Sequence, residues 1–276
     1  MYKISIITIN YNDAKGLEKT IKSVVNQTSL EFEYIVIDGG SIDTSVEVIK
    51  RNENNIQYWI SEKDSGIYNA MNKGIKVATG EYLFFLNSGD HLYNNDVILK
   101  SVQYLQNKDI IYFNVQIIGE NNSKIVSYPY ILRFSDFYSG GICHQSVFVK
   151  KTLFDTIGLY DEGLKIVADW KFFILALFKY NCSYKKVNEI LSTYYLGGIS
   201  SQINNSEERN SVIKEHFIGF VQDYEEFLTN RRLVNTNRSK MLQEIEKSTI
   251  GTKLVSVFFR IYIALFSKTK LKDLLN

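Results

Sequence analysis

The alternation of apolar, β-branched segments with amphipathic segments over the first 90 residues most constrains how this chain can fold. Four segments are predicted to be buried strands: 3–10, 32–38, 56–60 and 81–87. Three segments between them carry apolar residues at helical spacing: 14–27, 44–51 and 66–78. This alternation predicts βαβ units with right-handed crossovers, and therefore an α/β fold with a mainly parallel sheet and helices on both faces.

The pattern changes after residue 107. Segments 110–118 and 124–128 are predicted to be antiparallel strands, 168–180 a buried helix and 184–189 a last strand. From about residue 205 the chain is predicted to be helical. We therefore expect a main domain over 1–200, divided at 107/108, and a helical C-terminal extension over 201–276.

Polar residues follow each of the four predicted strands. These clusters are 10–12, 38–40, 62–64 and 87–90. The carboxyl ends of parallel strands meet at one edge of a sheet, and ligands of open α/β sheets bind there. The sequence therefore predicts a ligand site formed jointly by the four clusters.

The charge is distributed unevenly along the chain. Residues 231–276 contain ten Lys or Arg and three acids, a net of +7; the whole chain is +2, so the first 230 residues carry −5. A mildly acidic body does not suit a nucleic-acid partner, whereas a basic tail suits an anionic surface. Two cysteines and no recognisable signal peptide at the N-terminus favour a reducing, cytoplasmic setting.

The basic tail also contains the longest apolar run, 254–266. Thirteen residues with an internal arginine are too few to span a bilayer, which needs about 20. Residues 253–272 instead predict an amphipathic helix in the membrane interface, with its basic positions at Lys253, Arg260, Lys268, Lys270 and Lys272. A helix packed on the protein body is the alternative. Both interpretations stand, and the sequence does not predict an oligomeric state.

Several polar residues have two interpretations each. Asp90 ends a wholly apolar strand, which suits a cation ligand, but it would equally cap the next helix. Asp38 fits an ordinary turn, and His144 fits a structural histidine. Asp169 begins a helix and would serve as its N-cap or as a general base. The residues alone leave these alternatives open.

Four segments together resemble the family 2 glycosyltransferases of the GT-A fold, in the order and at the spacing typical of that family. They are 6–12 (IITINYN), 34–41 (YIVIDGGS), 64–74 (DSGIYNAMNKG) and 78–90 (ATGEYLFFLNSGD). The resemblance extends over about 1–195 and is greatest to bacterial enzymes of capsule, exopolysaccharide and lipopolysaccharide assembly. It implies a catalytic domain over 1–200, with a nucleotide-binding half to residue 107 and an acceptor-binding half from 108.

The resemblance also implies roles for individual positions. The implied donor-binding residues are Thr8, Asn10, Tyr11, Asp38, Gly39, Asp64, Lys73, Asn87 and Ser88. Asp90 is implied to bind Mg²⁺ or Mn²⁺, and Asp169 to act as the general base. His144, Gln145 and Trp170 are expected near the acceptor or the diphosphate.

The sequence departs from the family pattern in two places. Residues 87–90 contain one carboxylate where relatives often have several, so the expected cation depends on the substrate diphosphate and water. Met71 stands where many relatives have an arginine that helps to bind phosphates; Lys73 is a candidate substitute.

The resemblance implies an inverting transfer of a sugar from a nucleoside diphosphate to a hydroxyl of a glycan or lipid-linked acceptor in surface polysaccharide synthesis. UDP is favoured because Asp38 suits a uracil contact, while dTDP and GDP stay open. One alternative is a sugar nucleotidyltransferase, although 10–16 (NYNDAKG) lacks the glycine-rich basic loop of those enzymes. The other is a nucleotide-sugar-binding module without catalysis.

Overall fold

The computed structural model describes residues 2–29, 31–119, 122–197 and 205–267. The chain forms two compact units, Met1–Val212 and Ile213–Asn276. The predicted division at 200/201 lies outside the described residues, and the division between the units follows twelve residues later.

The described part of the first unit contains nine strands. They are β1 (Ile4–Asn10), β2 (Glu33–Asp38), β3 (Tyr58–Ser61), β4 (Tyr82–Phe85), β5 (His91–Leu92), β6 (Ile110–Ile118), β7 (Ser123–Val126), β8 (Val147–Lys150) and β9 (Tyr184–Tyr195). They form one sheet in the order β3-β2-β1-β4-β8-β6-β9-β5, and β7 pairs with β6.

Helices connect and cover these strands. They are α1 (Ala14–Val25), α2 (Ser45–Arg51), α3 (Ile67–Val77), α4 (Val97–Val102), α5 (Phe134–Ser139), α6 (Leu153–Thr156), α7 (Ala168–Phe178) and α8 (Ser206–His216). Short 3₁₀ turns occupy Glu53–Asn55 and His144–Ser146.

The first four strands are parallel, as their alternation with helices predicts: β1 pairs with β2 and β4, and β2 pairs with β3. Alternate residues of each strand face opposite sides of the sheet. Ile6 and Phe84 belong to the core that also holds the buried residues of α1, α2 and α4. Ile7 contacts α3 at Gly74, and Phe85 packs against Phe154 of α6, so helices cover both faces.

The other half of the sheet is mixed. β8 is antiparallel to β4 and β6, β7 is antiparallel to β6, and β9 runs parallel to β6. The prediction of a mainly parallel sheet therefore holds for β1–β4, whereas the sheet as a whole is mixed α/β. β5, β8, α5 and α6, which have two to six residues each, were not predicted.

The second unit is helical in its described part. Its helices beyond α8 are α9 (Ile218–Val234), α10 (Asn237–Glu246) and α11 (Thr249–Phe266). α11 has 18 residues with a mean hydropathy of 1.5, and 6% of them are buried. It meets the length and composition needed to cross a membrane, so the prediction that the apolar run is too short to span was wrong by these two criteria. Residues 268–272 lie outside the described residues.

Candidate active site

The ends of β1, β2 and β3 form a hydrogen-bonded row centred on Asp38. The strand register places Asn10 beside Asp38, and Asp38 beside Ser61. Nδ2 of Asn10 donates to Oδ1 of Asp38 at 2.7 Å, and Oγ of Ser61 donates to Oδ2 at 2.6 Å. Ser41 donates to both oxygens, through Oγ at 2.6 Å and its backbone N–H at 2.9 Å. Asp38 therefore holds three strand ends and the following turn together.

These hydrogen bonds determine the protonation state of Asp38. Burial by itself would raise the pKa of Asp38, but the donors from Ser41, Ser61 and Asn10 lower it below its ordinary value. The side chain is fully buried, and each oxygen already accepts two hydrogen bonds. A direct bond from Asp38 to a nucleobase, as predicted, would have to displace one of these donors. Oδ1 of Asn10, by contrast, is buried and has no hydrogen-bond partner.

Tyr11, Gly39 and Asp64 lie together beside this row. A Cβ at Gly39 would stand 2.5 Å from Oδ2 of Asp64 and 3.3 Å from Cδ2 of Tyr11, so glycine allows both side chains to approach the backbone there. The Tyr11 side chain is 66% exposed. Burial raises the pKa of Asp64, opposed by the Gly66 amide and the charge of Lys73. The exposed ring and the partly desolvated carboxylate form a surface suited to a nucleoside.

The structure does not bring Thr8 to this surface, and it pairs Lys73 with a neighbouring acid. Thr8 is fully buried; its hydroxyl donates to the Leu86 carbonyl at 2.8 Å and lies 3.1 Å from the Tyr34 hydroxyl. Its place in β1 points it into the core, where a ligand has no access. Lys73 lies close enough to Asp64 for its charge to act on that carboxylate, and its Nζ also pairs with Glu62 at 2.8 Å.

The turn after β4 carries the next predicted residues and is joined to α1. The Thr20 hydroxyl donates to the Asp90 carbonyl at 2.6 Å and accepts from the Gly89 amide at 3.1 Å. Ser88 donates to Oδ2 of Asp13 at 3.1 Å. These bonds hold the turn in a defined position relative to the ends of β1 and β4.

Asp90 is the buried carboxylate of this turn. Its residue is 8% exposed, and burial raises its pKa to about 6, opposed by a hydrogen bond from Gln145 and by His144. Nε2 of Gln145 donates to Oδ2 at 3.1 Å. Within the described part of the chain, the Asp90 carboxylate accepts only from neutral donors, the Gln145 amide and the Tyr195 backbone N–H. It is therefore poorly compensated as a buried anion and would gain from a cation.

A divalent cation at Asp90 would depend on the substrate. Among the described residues, no group of three or more His, Cys, Asp or Glu side chains could hold a metal ion. Mg²⁺ commonly uses one or two carboxylates and completes its shell with water and substrate phosphates. The desolvated Asp90 carboxylate therefore fits a cation that a bound diphosphate completes.

Asp169, at the start of α7, receives three hydrogen bonds. The Trp170 amide donates to Oδ1 at 2.9 Å, and Nδ1 of His144 donates to Oδ2 at 2.8 Å. The third donor is the Tyr68 hydroxyl, which shares its one proton between Oδ1 at 2.9 Å and the Ile166 carbonyl at 2.5 Å. Burial would raise the pKa of Asp169, but His144, Tyr68 and the Trp170 amide lower it. The side chains of His144 and Asp169 are 14% and 16% exposed. Asp169 is therefore an ionised, oriented carboxylate that keeps some solvent access.

His144 connects Asp169 to the turn after β4. With Nδ1 donating to the carboxylate, Nε2 is left to accept from Nδ2 of Asn87, at 3.2 Å. The next residue, Gln145, contacts Asp90. Segment 144–145 thus places the predicted base next to the predicted cation ligand, although these residues are far apart in the sequence.

The Trp170 side chain is buried, although the residue directly follows Asp169. It is 4% exposed, its Nε1 donates to the Phe137 carbonyl at 3.1 Å, and a Cβ at Gly141 would lie 2.9 Å from its ring. This burial argues against the predicted acceptor contact. The guanidinium of Arg209 lies over the same ring, 4.9 Å from its centroid.

Sequence reasoning missed three residues that position the site's carboxylates and turn: Thr20, Ser61 and Tyr68. Tyr68 lies at the start of a predicted helix, and Ser61 directly follows the predicted strand 56–60, so both positions were usable signals. Thr20 carries no such signal, because its partners Gly89 and Asp90 are distant in the sequence.

Comparisons with known proteins agree with this geometry. The sequence model of the family described as glycosyl transferase family 2 matches residues 5–154. An uncharacterised glycosyltransferase of Mycobacterium tuberculosis is 37% identical over 183 residues, covering 63% of this chain and 68% of that protein. A PGL/p-HBAD biosynthesis glycosyltransferase of Mycobacterium bovis BCG is 30% identical over 224 residues, covering 75% and 82%.

Solved structures show the same fold. TarS of S. aureus, residues 1–349 in complex with UDP-GlcNAc, has a TM-score of 0.63 at 18% identity, covering 98% of this chain and 77% of that one. A mannosyltransferase of Pyrobaculum calidifontis in complex with GDP-Man and Mn²⁺ has a TM-score of 0.56 at 13% identity, covering 95% and 80%. The fold here is thus that of GT-A glycosyltransferases, and one neighbour of this fold was solved with a divalent metal.

Proposed function

Because this chain belongs to glycosyl transferase family 2, we propose that it transfers a sugar, with inversion, from a nucleoside diphosphate to a hydroxyl of a glycan or lipid-linked acceptor in surface polysaccharide synthesis. The contact of His144 with both Asp169 and Asn87 carries this proposal. This contact links the oriented carboxylate of Asp169 to the turn that carries the buried Asp90. A transfer away from a diphosphate requires a base and a group that stabilises the leaving diphosphate, and these two carboxylates are suited to those roles.

UDP is the favoured nucleotide. The exposed Tyr11 ring suits stacking on a base. The unpartnered Oδ1 of Asn10 would pair with the N3–H donor of uracil, but this atom is buried, so the contact requires the strand-end row to open when the nucleotide binds. Asp64 suits the ribose hydroxyls, because its carboxylate lies close to Gly39, as the Tyr11 ring does. The UDP-GlcNAc bound to TarS is consistent with this choice.

Asp169 accepts the proton of the acceptor hydroxyl. Tyr68 and His144 hold its carboxylate in one orientation, and its lowered pKa keeps it ionised at neutral pH. A Mg²⁺ or Mn²⁺ ion bound at Asp90 would neutralise charge on the departing diphosphate. General-base assistance of this kind typically contributes about 10²–10⁴-fold to the rate.

Asp169→Asn tests this role. The expected result is loss of transfer by about 10²-fold or more with UDP affinity kept, because the side chain retains its size. Asp155→Asn, an exposed aspartate of the same unit, is the matched control. Normal turnover of Asp169→Asn would refute the base assignment.

Slow hydrolysis of UDP-GlcNAc and other UDP-sugars, measured without acceptor, separates a transferase from a binding module that releases no product. Formation of pyrophosphate from a nucleoside triphosphate and a sugar phosphate would instead indicate a nucleotidyltransferase. Persistence of transfer after complete chelation by EDTA would remove the metal from the scheme.

The proposal includes a cytoplasmic location with peripheral membrane contact through 253–272. Lys253 and Arg260 of α11 are exposed and seven residues apart, so they share one face of the helix, and apolar side chains such as Phe258 and Leu265 are also exposed. The helix is about 27 Å long at 1.5 Å per residue, near the thickness of the bilayer core. The two cations within it favour a position along the interface over a span.

Flotation with vesicles tests this contact. The full chain should float with vesicles of anionic phospholipid and less with zwitterionic ones, because each basic residue near an anionic surface contributes about 1 kcal/mol. A truncation after Lys247 should remain in the soluble fraction. Equal flotation of the two chains would contradict the assignment.

A further inference from the structure

Arg209 places a guanidinium on the Asp169 side of the active site. The residue lies in the first turns of α8, and its Cζ is 4.9 Å from the centroid of the Trp170 ring. Trp170 directly follows Asp169 in α7. Burial lowers the pKa of Arg209, and the negative charge of Asp169 opposes that effect. The two charges are therefore close enough to influence each other.

Hydrogen bonds hold both partners of the Arg209–Trp170 stack in position. The carboxylate of Glu208 accepts from the backbone amides of Lys165 at 2.8 Å and Ile166 at 3.1 Å, in the segment leading into α7. Trp170 is fixed from the other side by the Phe137 carbonyl. The guanidinium position is thus set by the fold.

The guanidinium is nevertheless incompletely satisfied. Its Nε is buried and has no hydrogen-bond partner, and Arg209 forms no ion pair within the part of the chain that the structure describes. Buried polar groups are normally paired, and each exception in a folded protein calls for an explanation. A cation held on an aromatic face with free N–H groups is suited to an anion with several acceptor oxygens.

The site needs such a cation. It already carries the carboxylates of Asp64, Asp90 and Asp169, which repel a diphosphate. The charge of Lys73 is offset by the half-exposed Glu62, 2.8 Å away, and Met71 is uncharged and fully buried. A second cation beside Asp169 would offset the remaining negative charge.

We propose that Arg209 donates its guanidinium N–H groups to a phosphate oxygen of a diphosphate bound in this site. The inference rests on the proposed function and identifies a residue from α8, outside the strand-end clusters, as part of the anion site. The diphosphate is that of the nucleotide-sugar donor or that of a lipid-linked acceptor, since both present the same oxygens.

Calorimetric titration of the full chain distinguishes these sources. The probes are UDP, uridine and farnesyl diphosphate, and the variants are Arg209→Met, Arg209→Lys and the exposed control Arg51→Met. Methionine preserves apolar packing on Trp170 without charge. Arg209→Met should bind one diphosphate about tenfold more weakly, equivalent to about 1.4 kcal/mol. The affinity of Arg209→Lys should lie between those of the wild type and Arg209→Met, because lysine keeps the charge but lacks the planar guanidinium.

Weaker UDP binding with unchanged uridine binding supports the donor diphosphate as the ligand. Weaker farnesyl diphosphate binding with unchanged UDP binding supports the acceptor diphosphate. Unchanged binding of both, or equal weakening of UDP and uridine, overturns the proposal and leaves Arg209 a packing role. If the methionine variant does not fold by circular dichroism, Arg209→Lys carries the same comparison.

If the wild-type chain binds no UDP, the favoured donor is wrong, while the farnesyl diphosphate titration still tests Arg209. Absence of binding to either diphosphate overturns both proposals.

Discussion

Asp90 is a buried carboxylate, and removing its charge should raise the stability of the fold while it abolishes metal-supported UDP binding. Burial raises its pKa from 3.8 to about 6. An acid with a raised folded-state pKa destabilises the fold when it is ionised: the cost is complete above the folded pKa and disappears below the unfolded one. A shift of about two units corresponds to about 3 kcal/mol. At neutral pH without metal, the ionised Asp90 therefore costs up to about 3 kcal/mol of stability.

Asp90→Asn removes this charge and keeps an oxygen that can accept from Gln145. At pH 7.5 in EDTA, the variant should be more stable than the wild type by up to about 3 kcal/mol. Its thermal midpoint should then rise by several degrees, since 1 kcal/mol shifts the midpoint of a domain of this size by about 2–4 °C. At pH 4 the difference should disappear, because the wild-type carboxyl is then protonated. Metal-supported UDP binding should be lost at pH 7.5.

Thermal unfolding monitored by circular dichroism at the two pH values measures the effect. Asp155→Asn, which removes an exposed carboxylate, is the control and should leave the midpoint nearly unchanged. If Asp90→Asn is no more stable than the wild type in EDTA at pH 7.5, Asp90 is not the desolvated anion described above.

Three further substitutions test other parts of the site. Thr8→Val should lower the free energy of unfolding by about 1–2 kcal/mol, because the Leu86 carbonyl loses its donor, and should leave UDP affinity unchanged; urea denaturation and titration show whether Thr8 is only structural. Gly39→Ala should weaken UDP binding several-fold, since the new Cβ would lie 2.5 Å from Oδ2 of Asp64; unchanged affinity would exclude Asp64 from the nucleoside site. Asp38 has a lowered pKa, so the stability it contributes is present above its unfolded pKa of about 3.9 and lost as the pH falls through the folded value; Asp38→Asn should therefore flatten the decline of the unfolding midpoint between pH 5 and 3.

The sequence by itself determined the first half of the fold and its ligand edge. The buried strands and the helices between them are encoded by local periodicity, and parallel pairing follows from their alternation. Asp38 and Asp64 could be placed at one edge because Asp38 ends β2 and Asp64 lies three residues after the end of β3. The family also followed from four local segments read in order.

Only the tertiary structure decided what these residues do. Thr8 and Asp38 are adjacent to the predicted site, yet their hydrogen bonds are satisfied within the protein, and the sequence does not encode which face or partner a strand-end side chain receives. The contact of Asp169 with Tyr68 joins residues 101 positions apart. The raised pKa of Asp90 and the unsatisfied guanidinium of Arg209 likewise arise from burial among distant segments, and burial is a property of the packed chain.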